Sequence, residues 1–223
     1  MKKIIFLVII SCFTLNSFSQ KRVYIDENGN VADEVKFLKR WRDTDNELSR
    51  WDYIKKDSGR VQKLSKNLHN LYKVDYDTIL ENLNKLLVTK IPKNKTLIIE
   101  FIYLYDLCND DKINFWSKSK LKFWNSFSYP TKKRIEKENS DIIYITLFDK
   151  DIVIDPYIST IENFKIDKNN FFKANFFKKP TLCGSYLVIK PDGYALVRNG
   201  EYTADRMLQY LEPQVWNQTF PNH

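Results

Sequence analysis

The chain has 223 residues, of which 43% are hydrophobic and 15% aromatic, so it encodes a globular protein and not a disordered one. Its five glycines form no Gly-x-Gly-x-x-Gly or P-loop pattern, which argues against a phosphate-binding glycine loop. The formal net charge of +8 suits nucleic acid or an anionic envelope surface, but a solubilising surface is the simpler interpretation.

Residues 1–19 have the layout of a cleaved secretory signal peptide. Two lysines precede an apolar run from Ile4 to Ile10, and the small residues Ser17 and Ser19 lie before a cleavage site ahead of Gln20. The run is too short for a permanent membrane-spanning helix. The sequence therefore predicts a periplasmic or secreted protein without an integral span, and because nucleic acid is scarce there, no nucleic-acid partner is expected.

A lipid anchor is the alternative for this leader. The segment Ile9-Ile10-Ser11-Cys12 loosely matches a lipoprotein cleavage box, which would leave Cys12 as a lipid-bearing terminus. Apolar residues continue past Cys12 and a conventional cleavage site follows, so the cleaved leader is preferred.

Residues 20–94 are predicted to form an N-terminal α+β extension. The pattern first predicts a strand at 23–25, a turn at Asn28-Gly29 and a helix with Val35, Leu38 and Trp41 on one side. A hairpin of 51–55 and 61–64 about Asp57-Ser58-Gly59 is predicted next. The last element is a helix that Asp75 or Asp77 caps and whose apolar residues continue to Leu87. The segment 91–95 breaks this helix and marks a boundary.

Residues 95–216 are predicted to form a second region. It begins with a buried strand at 97–104. A helix follows with Ile113, Trp116, Leu121, Trp124 and Phe127 on one stripe, and Pro130 kinks or ends this helix. The remaining elements are a strand at 142–148, a helical segment at 171–177, a hairpin of 186–190 and 194–198 about Pro191-Asp192-Gly193, and a helix that Thr203 caps and whose Ala204, Met207, Leu208 and Leu211 face inward. Strand–helix–strand units imply parallel pairing and a tight turn implies antiparallel pairing, so a mixed sheet with helices on both faces is expected.

This order of elements resembles the thioredoxin-like superfamily over residues 95–212. Glu100-Phe101 stands where such proteins often carry an acidic residue and Phe, Cys108 follows that strand, and segment 187–193 looks like the strand and turn after the family's cis-proline. The resemblance implies an α/β fold with a three-layer, thioredoxin-like mixed sheet flanked by helices, and a thioredoxin-like domain at 95–216.

The chain departs from this family at its redox motif. The family's enzymes use Cys-x-x-Cys, and here Asp111 replaces the second thiol in Cys108-Asn109-Asp110-Asp111. Gly184 or Ser185 stands at the cis-proline position. A standard disulfide reductase is therefore not expected.

The resemblance places the two cysteines of the mature chain, Cys108 and Cys183, at one edge of the sheet, and this implies a disulfide between them. Such a bond is either a structural cross-link, the preferred interpretation, or a catalytic pair. On the same resemblance, Glu100, Asp111, Gly184 and Ser185 are candidate binding residues.

No metal or cofactor is expected. The histidines are His69 and His223, which form no zinc-ligand cluster, and His69 is expected to be partly exposed beside a packed face. The acidic residues Asp149, Asp151 and Asp155 are expected to lie in a solvated loop. The rings at Phe171, Phe172, Phe176 and Phe177 are expected to pack on the sheet.

Three functions remain open on the sequence. The first is an exported, non-catalytic binding or scaffold protein whose partner is another protein of the envelope or periplasm. The second is a thiol-redox enzyme, an oxidoreductase or peroxidase-like protein, that uses Cys108 with Cys183. The third is an interaction or inhibitory protein with an unrelated α+β topology.

Overall fold

The computed structural model describes residues 22–109, 114–155, 164–202 and 204–221. The predicted signal peptide, Cys12, Asp111, Ile113, Thr203 and His223 lie outside these ranges, and so do the side chains of Phe127 and Ala204. Within the described ranges no helix has both the length and the apolar character needed to cross a membrane.

The described residues contain strands in three sheets. They are β1 (Arg22–Ile25), β2 (Val31–Ala32), β3 (Ser49–Lys55), β4 (Gly59–Ser65), β5 (His69–Lys73), β6 (Thr96–Ile102), β7 (Phe115–Trp116), β8 (Ile142–Phe148), β9 (Val153–Ile154), β10 (Phe164–Ile166), β11 (Ser185–Ile189) and β12 (Tyr194–Asn199). The helices are α1 (Glu34–Arg42), α2 (Tyr76–Asn84), α3 (Lys118–Glu138), α4 (Phe171–Asn175), α5 (Ala204–Gln209) and α6 (Pro213–Thr219), with short 3-10 turns at Thr44–Asn46 and Leu107–Asn109.

The central sheet has six strands in the order β10-β8-β6-β11-β12-β5. Strands β10, β8 and β6 are parallel, whereas β11, β12 and β5 each run antiparallel to the preceding strand of the sheet. The four central strands consist of a parallel pair connected through α3, followed by an antiparallel hairpin, which is the order expected of a thioredoxin-like core. The predicted α/β class with a mixed sheet flanked by helices is confirmed, and the alternative of an unrelated topology is wrong.

Both faces of this sheet are covered, because alternate residues of its strands enter different cores. Leu97, Ile99 and Phe101 pack with α2 and with the rings of α4 and its C-terminal end. Ile98 packs instead with Ile135 of α3 and with residues of α5 and α6. The sheet is therefore the middle layer of three.

The N-terminal sheet has the order β2-β1-β4-β3, and the hairpin about 57–59 is confirmed. Asp33 caps α1 by accepting hydrogen bonds from the backbone N–H groups of Val35 and Lys36. The predicted apolar side of this helix is wrong at Val35, which is 73% exposed, while Phe37 is fully buried. A buried phenylalanine removes more apolar area from water than a valine, so the helix turns its Phe37 side to the core.

The strand β5 was not predicted, and it joins the central sheet beside β12 although it lies within the predicted N-terminal extension. The helix α2, capped by Asp75 as predicted, also packs into the core of that sheet through Leu83. The division of the chain at residue 94 stays a prediction.

Three further elements differ from the expectations. The helix α3 continues through Pro130 to Glu138 and does not end at the proline, and Trp116 lies in β7 before the helix. The strand β10 and the helix α6, whose Trp216 is fully buried, were not predicted.

Candidate functional site

Cys108 and Cys183 form a disulfide, as predicted, with their Cα atoms 4.8 Å apart. Cys108 lies in the 3-10 turn that follows β6, and Cys183 lies in the turn that precedes β11. These turns meet because β6 and β11 are antiparallel neighbours, with Phe101 opposite Ser185. Both cysteines are half-buried. A catalytic role for the pair stays a prediction.

Asp106 holds the backbone on both sides of the disulfide. Its Oδ1 accepts hydrogen bonds from the N–H groups of Cys108 and Cys183, both at 3.0 Å, and its Oδ2 accepts one from Gly184 at 2.8 Å. Sequence reasoning missed this residue. The bond from Asp106 to the N–H group two residues ahead of it is a local turn signal that the sequence could have shown. Its bonds to residues 183 and 184 form only in the folded protein.

Burial raises the pKa of Asp106 to about 6, in opposition to the three N–H bonds, which lower it; the Asp52 carboxylate adds a smaller upward effect. At neutral pH the group is mostly ionised, so a negative charge lies beside the disulfide.

The backbone at Gly184 leaves no room for a side chain. Its φ is +79°, and a Cβ atom there would lie 2.8 Å from the backbone oxygen of Phe101. The preceding Cys183 also has a positive φ of 63°, and no peptide bond among the described residues is cis. The turn at the family's cis-proline position is thus built from two left-handed residues.

Ser185 is fully buried and bonded within the protein. Its hydroxyl accepts a hydrogen bond from the Tyr103 hydroxyl at 3.0 Å and lies 2.7 Å from Oγ1 of Thr181. The Thr181 hydroxyl also donates to the backbone oxygen of Gly184. Burial raises the pKa of Tyr103, so the network stays neutral. The binding role predicted for Gly184 and Ser185 stays a prediction.

Glu100 is 4% exposed and faces the core on the α5–α6 side of the sheet. Its carboxylate accepts hydrogen bonds from the Thr146 hydroxyl at 2.9 Å and the Tyr202 hydroxyl at 2.5 Å. Burial and the nearby Glu100 charge raise the pKa values of Tyr144 and Tyr202. Its predicted binding role is untested, and Asp111, the remaining predicted binding residue, lies outside the described ranges.

The N-terminal sheet contacts both cysteine-bearing turns. The Asp52 carboxylate is fully buried and accepts two bonds from Arg50, both at 2.6 Å, and one from Arg60 at 2.9 Å. Arg60 also donates to the backbone oxygen of Leu107, and the N–H of Leu182 donates to the backbone oxygen of Arg50. Residues adjacent to each cysteine are therefore attached to β3 and β4.

Two hollows flank this edge. The apolar hollow, of about 450 Å³, is lined by Trp51, Tyr53, Ile54, Tyr105 and Leu107. The polar cleft, of about 440 Å³, is lined by Trp41, Arg42, Asp43, Glu47, Leu48, Ser49, Arg50, Leu68, Leu182, Arg198, Asn199, Gly200 and Glu201. Leu107, next to Cys108, lines the apolar hollow, and Leu182, next to Cys183, lines the polar cleft, so each hollow reaches the neighbour of one cysteine.

The remaining expectations concern metals and packing. Within the described ranges, no group of three or more His, Cys, Asp or Glu side chains is arranged to hold a metal ion. His69 is partly exposed, as expected, with its ring 2.8 Å from the Tyr210 hydroxyl. Phe172, Phe176 and Phe177 pack in the core, as expected.

The expected solvated loop is wrong at Asp149, which is 1% exposed. Its carboxylate is paired at 2.5 Å with Lys173, which α4 brings across the carboxyl ends of β8 and β10. The sequence around Asp149 does not show this partner, because it lies 24 residues away.

No known family model matches the chain, and no curated protein matches it in sequence. Solved structures do match. An exposed lipoprotein thioredoxin of Streptococcus pneumoniae has 13% identity and a TM-score of 0.35, over 73% of this chain and 98% of that one. DsbF of Mycobacterium tuberculosis has 14% identity and a TM-score of 0.32, over 51% and 76% of the two chains.

A secreted disulfide oxidoreductase of Mycobacterium tuberculosis, homologous to DsbE of E. coli, has 10% identity and a TM-score of 0.31, over 51% of this chain and 78% of that one. These neighbours have thioredoxin-like folds. It is the order and direction of the four central strands, β8-β6-β11-β12, that give this chain its thioredoxin-like fold.

Proposed function

We propose that this is an exported thioredoxin-like protein that binds a partner protein at the disulfide edge and does not catalyse thiol–disulfide exchange. The observation that carries the proposal is the Asp106 carboxylate, which holds the backbone at both cysteines. The disulfide is then a structural cross-link that fixes the shape of a binding surface.

The electrostatics at Cys108 oppose a redox role. Exchange requires a thiolate, and a negative charge nearby disfavours the thiolate. The Asp106 carboxylate lies within hydrogen-bond distance of the Cys108 backbone, and the positive Arg60 is already engaged by the buried Asp52. A reduced Cys108 would therefore be a weak nucleophile at neutral pH.

The apolar hollow supplies the binding surface. One wall comes from β3, and the other comes from Tyr105 and Leu107, just before Cys108. Tyr105 is 59% exposed and has a left-handed φ of 61°, which turns a large ring toward solvent beside the hollow. This volume suits one or two apolar side chains on an extended segment of a partner protein.

The absence of turnover is tested with insulin reduction in dithiothreitol and with peroxide consumption, with a Cys-x-x-Cys thioredoxin as the positive control. We expect rates equal to those without protein. Turnover that is lost in Cys108→Ser would overturn the proposal.

Binding is tested by selecting a peptide-display library on the purified protein. We expect enrichment of peptides with large apolar residues, and at least about tenfold weaker binding of a selected peptide to Tyr105→Ser, because an anchor ring is lost. The matched control is Val88→Ser, since Val88 is 96% exposed elsewhere. Equal binding by both variants would remove the hollow from the proposal.

Export is tested by sequencing the N-terminus of the protein recovered from the envelope or medium. A terminus at Gln20 is expected, whereas a lipid-modified Cys12 would favour the anchored alternative.

A second candidate is a thiol-redox enzyme that uses Cys108 and Cys183. It is favoured by the half-buried position of both cysteines at the edge where the family's redox motif lies. The reduction potential separates the two candidates. A value below about −300 mV, as in structural disulfides, supports the cross-link, and one near those of exchange enzymes, about −120 to −270 mV, supports the enzyme.

A further inference from the structure

The outward side of α3 carries a surface of lysines and aromatic rings, which we call the basic–aromatic face. It consists of Phe115, Lys118, Lys122, Phe123, Tyr129 and Lys133. At 3.6 residues per turn, Lys118, Lys122, Tyr129 and Lys133 fall within about 60° of one another around the helix, and Phe123 lies about 80° beyond Lys133. Leu121 and Ile135, which are fully buried, mark the side of the helix that packs on the sheet.

The rings of this face are unusually exposed. Phe123 is 66% exposed, Tyr129 is 42% exposed and Phe115 is 43% exposed. Phe115 points away from the core because its neighbour Trp116 points into it, and Val153, 56% exposed, lies opposite Phe115 in the β7–β9 pair. Exposed apolar groups clustered in this way mark an interaction surface.

The charges at the start of α3 do not stabilise the helix through its dipole. It contains seven lysines and arginines against two acidic residues, and both acidic residues lie in its last three positions. Lys118, Lys120 and Lys122 occupy three of the first five positions, where the positive end of the helix dipole disfavours cations. Lys120 has a partner within the protein, since its Nζ lies 4.3 Å from the centre of the Trp116 ring. The exposed Lys118 and Lys122 are better explained by an external anionic surface.

We propose that the basic–aromatic face binds the surface of an anionic lipid bilayer. Lysines near such a surface are attracted by the headgroup charge, and aromatic rings favour the headgroup region. The helix spans about 30 Å, so several of these side chains can reach the membrane at once. Since the inner side of α3 stays packed on the sheet, only side chains enter the interface and the protein binds peripherally.

The experiment measures sedimentation of the full chain, purified after export, with vesicles of phosphatidylcholine alone or with about 30% phosphatidylglycerol. Binding to the anionic vesicles is expected, with loss when salt rises from about 0.1 to about 0.5 M. The double variant Lys118→Glu/Lys122→Glu should bind about tenfold more weakly or worse. Phe123→Ser should also weaken binding severalfold, because it removes an apolar group from the interface.

The controls make the same changes on another helix. Lys36→Glu/Lys39→Glu alters the net charge equally on exposed positions of α1, and Val35→Ser removes an apolar side chain there that is 73% exposed, against 66% for Phe123. Equal losses in the control variants, equal binding to neutral vesicles, or no binding would overturn the proposal. Tighter binding to a duplex oligonucleotide than to vesicles, unaffected by Phe123→Ser, would overturn it in favour of a polyanion surface.

Discussion

Asp106 is the residue on which the candidate site most depends, and its ionisation should make stability depend on pH. Its pKa is about 6 in the folded protein and 3.8 in the unfolded chain, so folding favours the protonated form. The stability that the protonated Asp106 contributes to the folded state is fully present below about pH 4 and is lost as the pH rises through 6. The difference between the two pKa values corresponds to about 3 kcal/mol. Because residue 106 keeps part of its surface in contact with water, we expect a smaller loss of stability, about 2 kcal/mol, between these limits.

Urea unfolding at pH 4.5 and pH 7.5 tests this for the wild type and for Asp106→Asn. The free energy of unfolding of the variant should not fall between these two pH values, because an amide does not ionise. At both pH values the variant should be less stable than the wild type by about 1–3 kcal/mol, because the N–H of Gly184 loses its acceptor. Asp151→Asn, at an exposed position, is the control and should keep the wild-type dependence. An unchanged dependence in Asp106→Asn would assign it to another group.

Gly184 gives a second prediction at this scale. Gly184→Ala adds a Cβ atom 2.8 Å from a backbone oxygen at a left-handed φ, so it should lower the free energy of unfolding by more than about 2 kcal/mol. Gly29→Ala is the matched control, since Gly29 also has a left-handed φ of +92° but nothing within 4 Å of the added atom. Urea unfolding should show a clearly smaller loss for Gly29→Ala, and equal losses would mean that the close approach is relieved by movement of the chain.

At the scale of elements, sequence patterns predicted those whose signal is local. The strands β6 and β8 are continuous apolar runs, α2 has helical spacing and a cap, and the hairpins have Gly in their turns, so each was predicted without the rest of the chain. The strand β5 was missed because it carries polar residues and is stabilised by its pairing with β12. The start of α3 was misplaced because Trp116 has the spacing of the helix but pairs with β9.

The candidate site was predictable only in part, for a related reason. The disulfide followed from a resemblance that placed two turns at one edge. The role of Asp106, the pairing of Asp149 with Lys173 and the attachment of β3 to residue 182 each join segments far apart in sequence. Spacing in one segment carries no information about such partners.

The docking of the β3–β4 hairpin on the disulfide edge gives a prediction for this element. Arg60→Met removes a partner of the buried Asp52 and the donor to the Leu107 backbone oxygen, so it should destabilise the protein by about 3 kcal/mol. Lys63→Met, an exposed change on the same strand, should cost little. Urea unfolding with limited proteolysis checks this, and the Arg60 variant should be cleaved faster within residues 49–65. Equal stability of the two variants would show that the hairpin is held by other contacts.

For the whole molecule, the disulfide joins two halves of the central sheet, because Cys108 follows β6, the last strand of the half β10-β8-β6, and Cys183 precedes β11, the first strand of the half β11-β12-β5. A cross-link over 75 residues restricts the unfolded chain, which in the chain-entropy account stabilises the folded state by about 4 kcal/mol. Cys108→Ser/Cys183→Ser should therefore lower the free energy of unfolding by about that amount while the Asp106 bonds and the apolar hollow remain. Urea unfolding measures this loss of stability.

The affinity of a selected peptide for the same variant, measured below its unfolding transition, shows whether the binding surface is kept. If the disulfide only fixes the surface, affinity should fall by less than about tenfold, because the hairpin and Asp106 still hold both turns. Abolished binding by a folded variant would instead mean that the sulfur atoms themselves take part in recognition, which would favour the thiol-redox candidate.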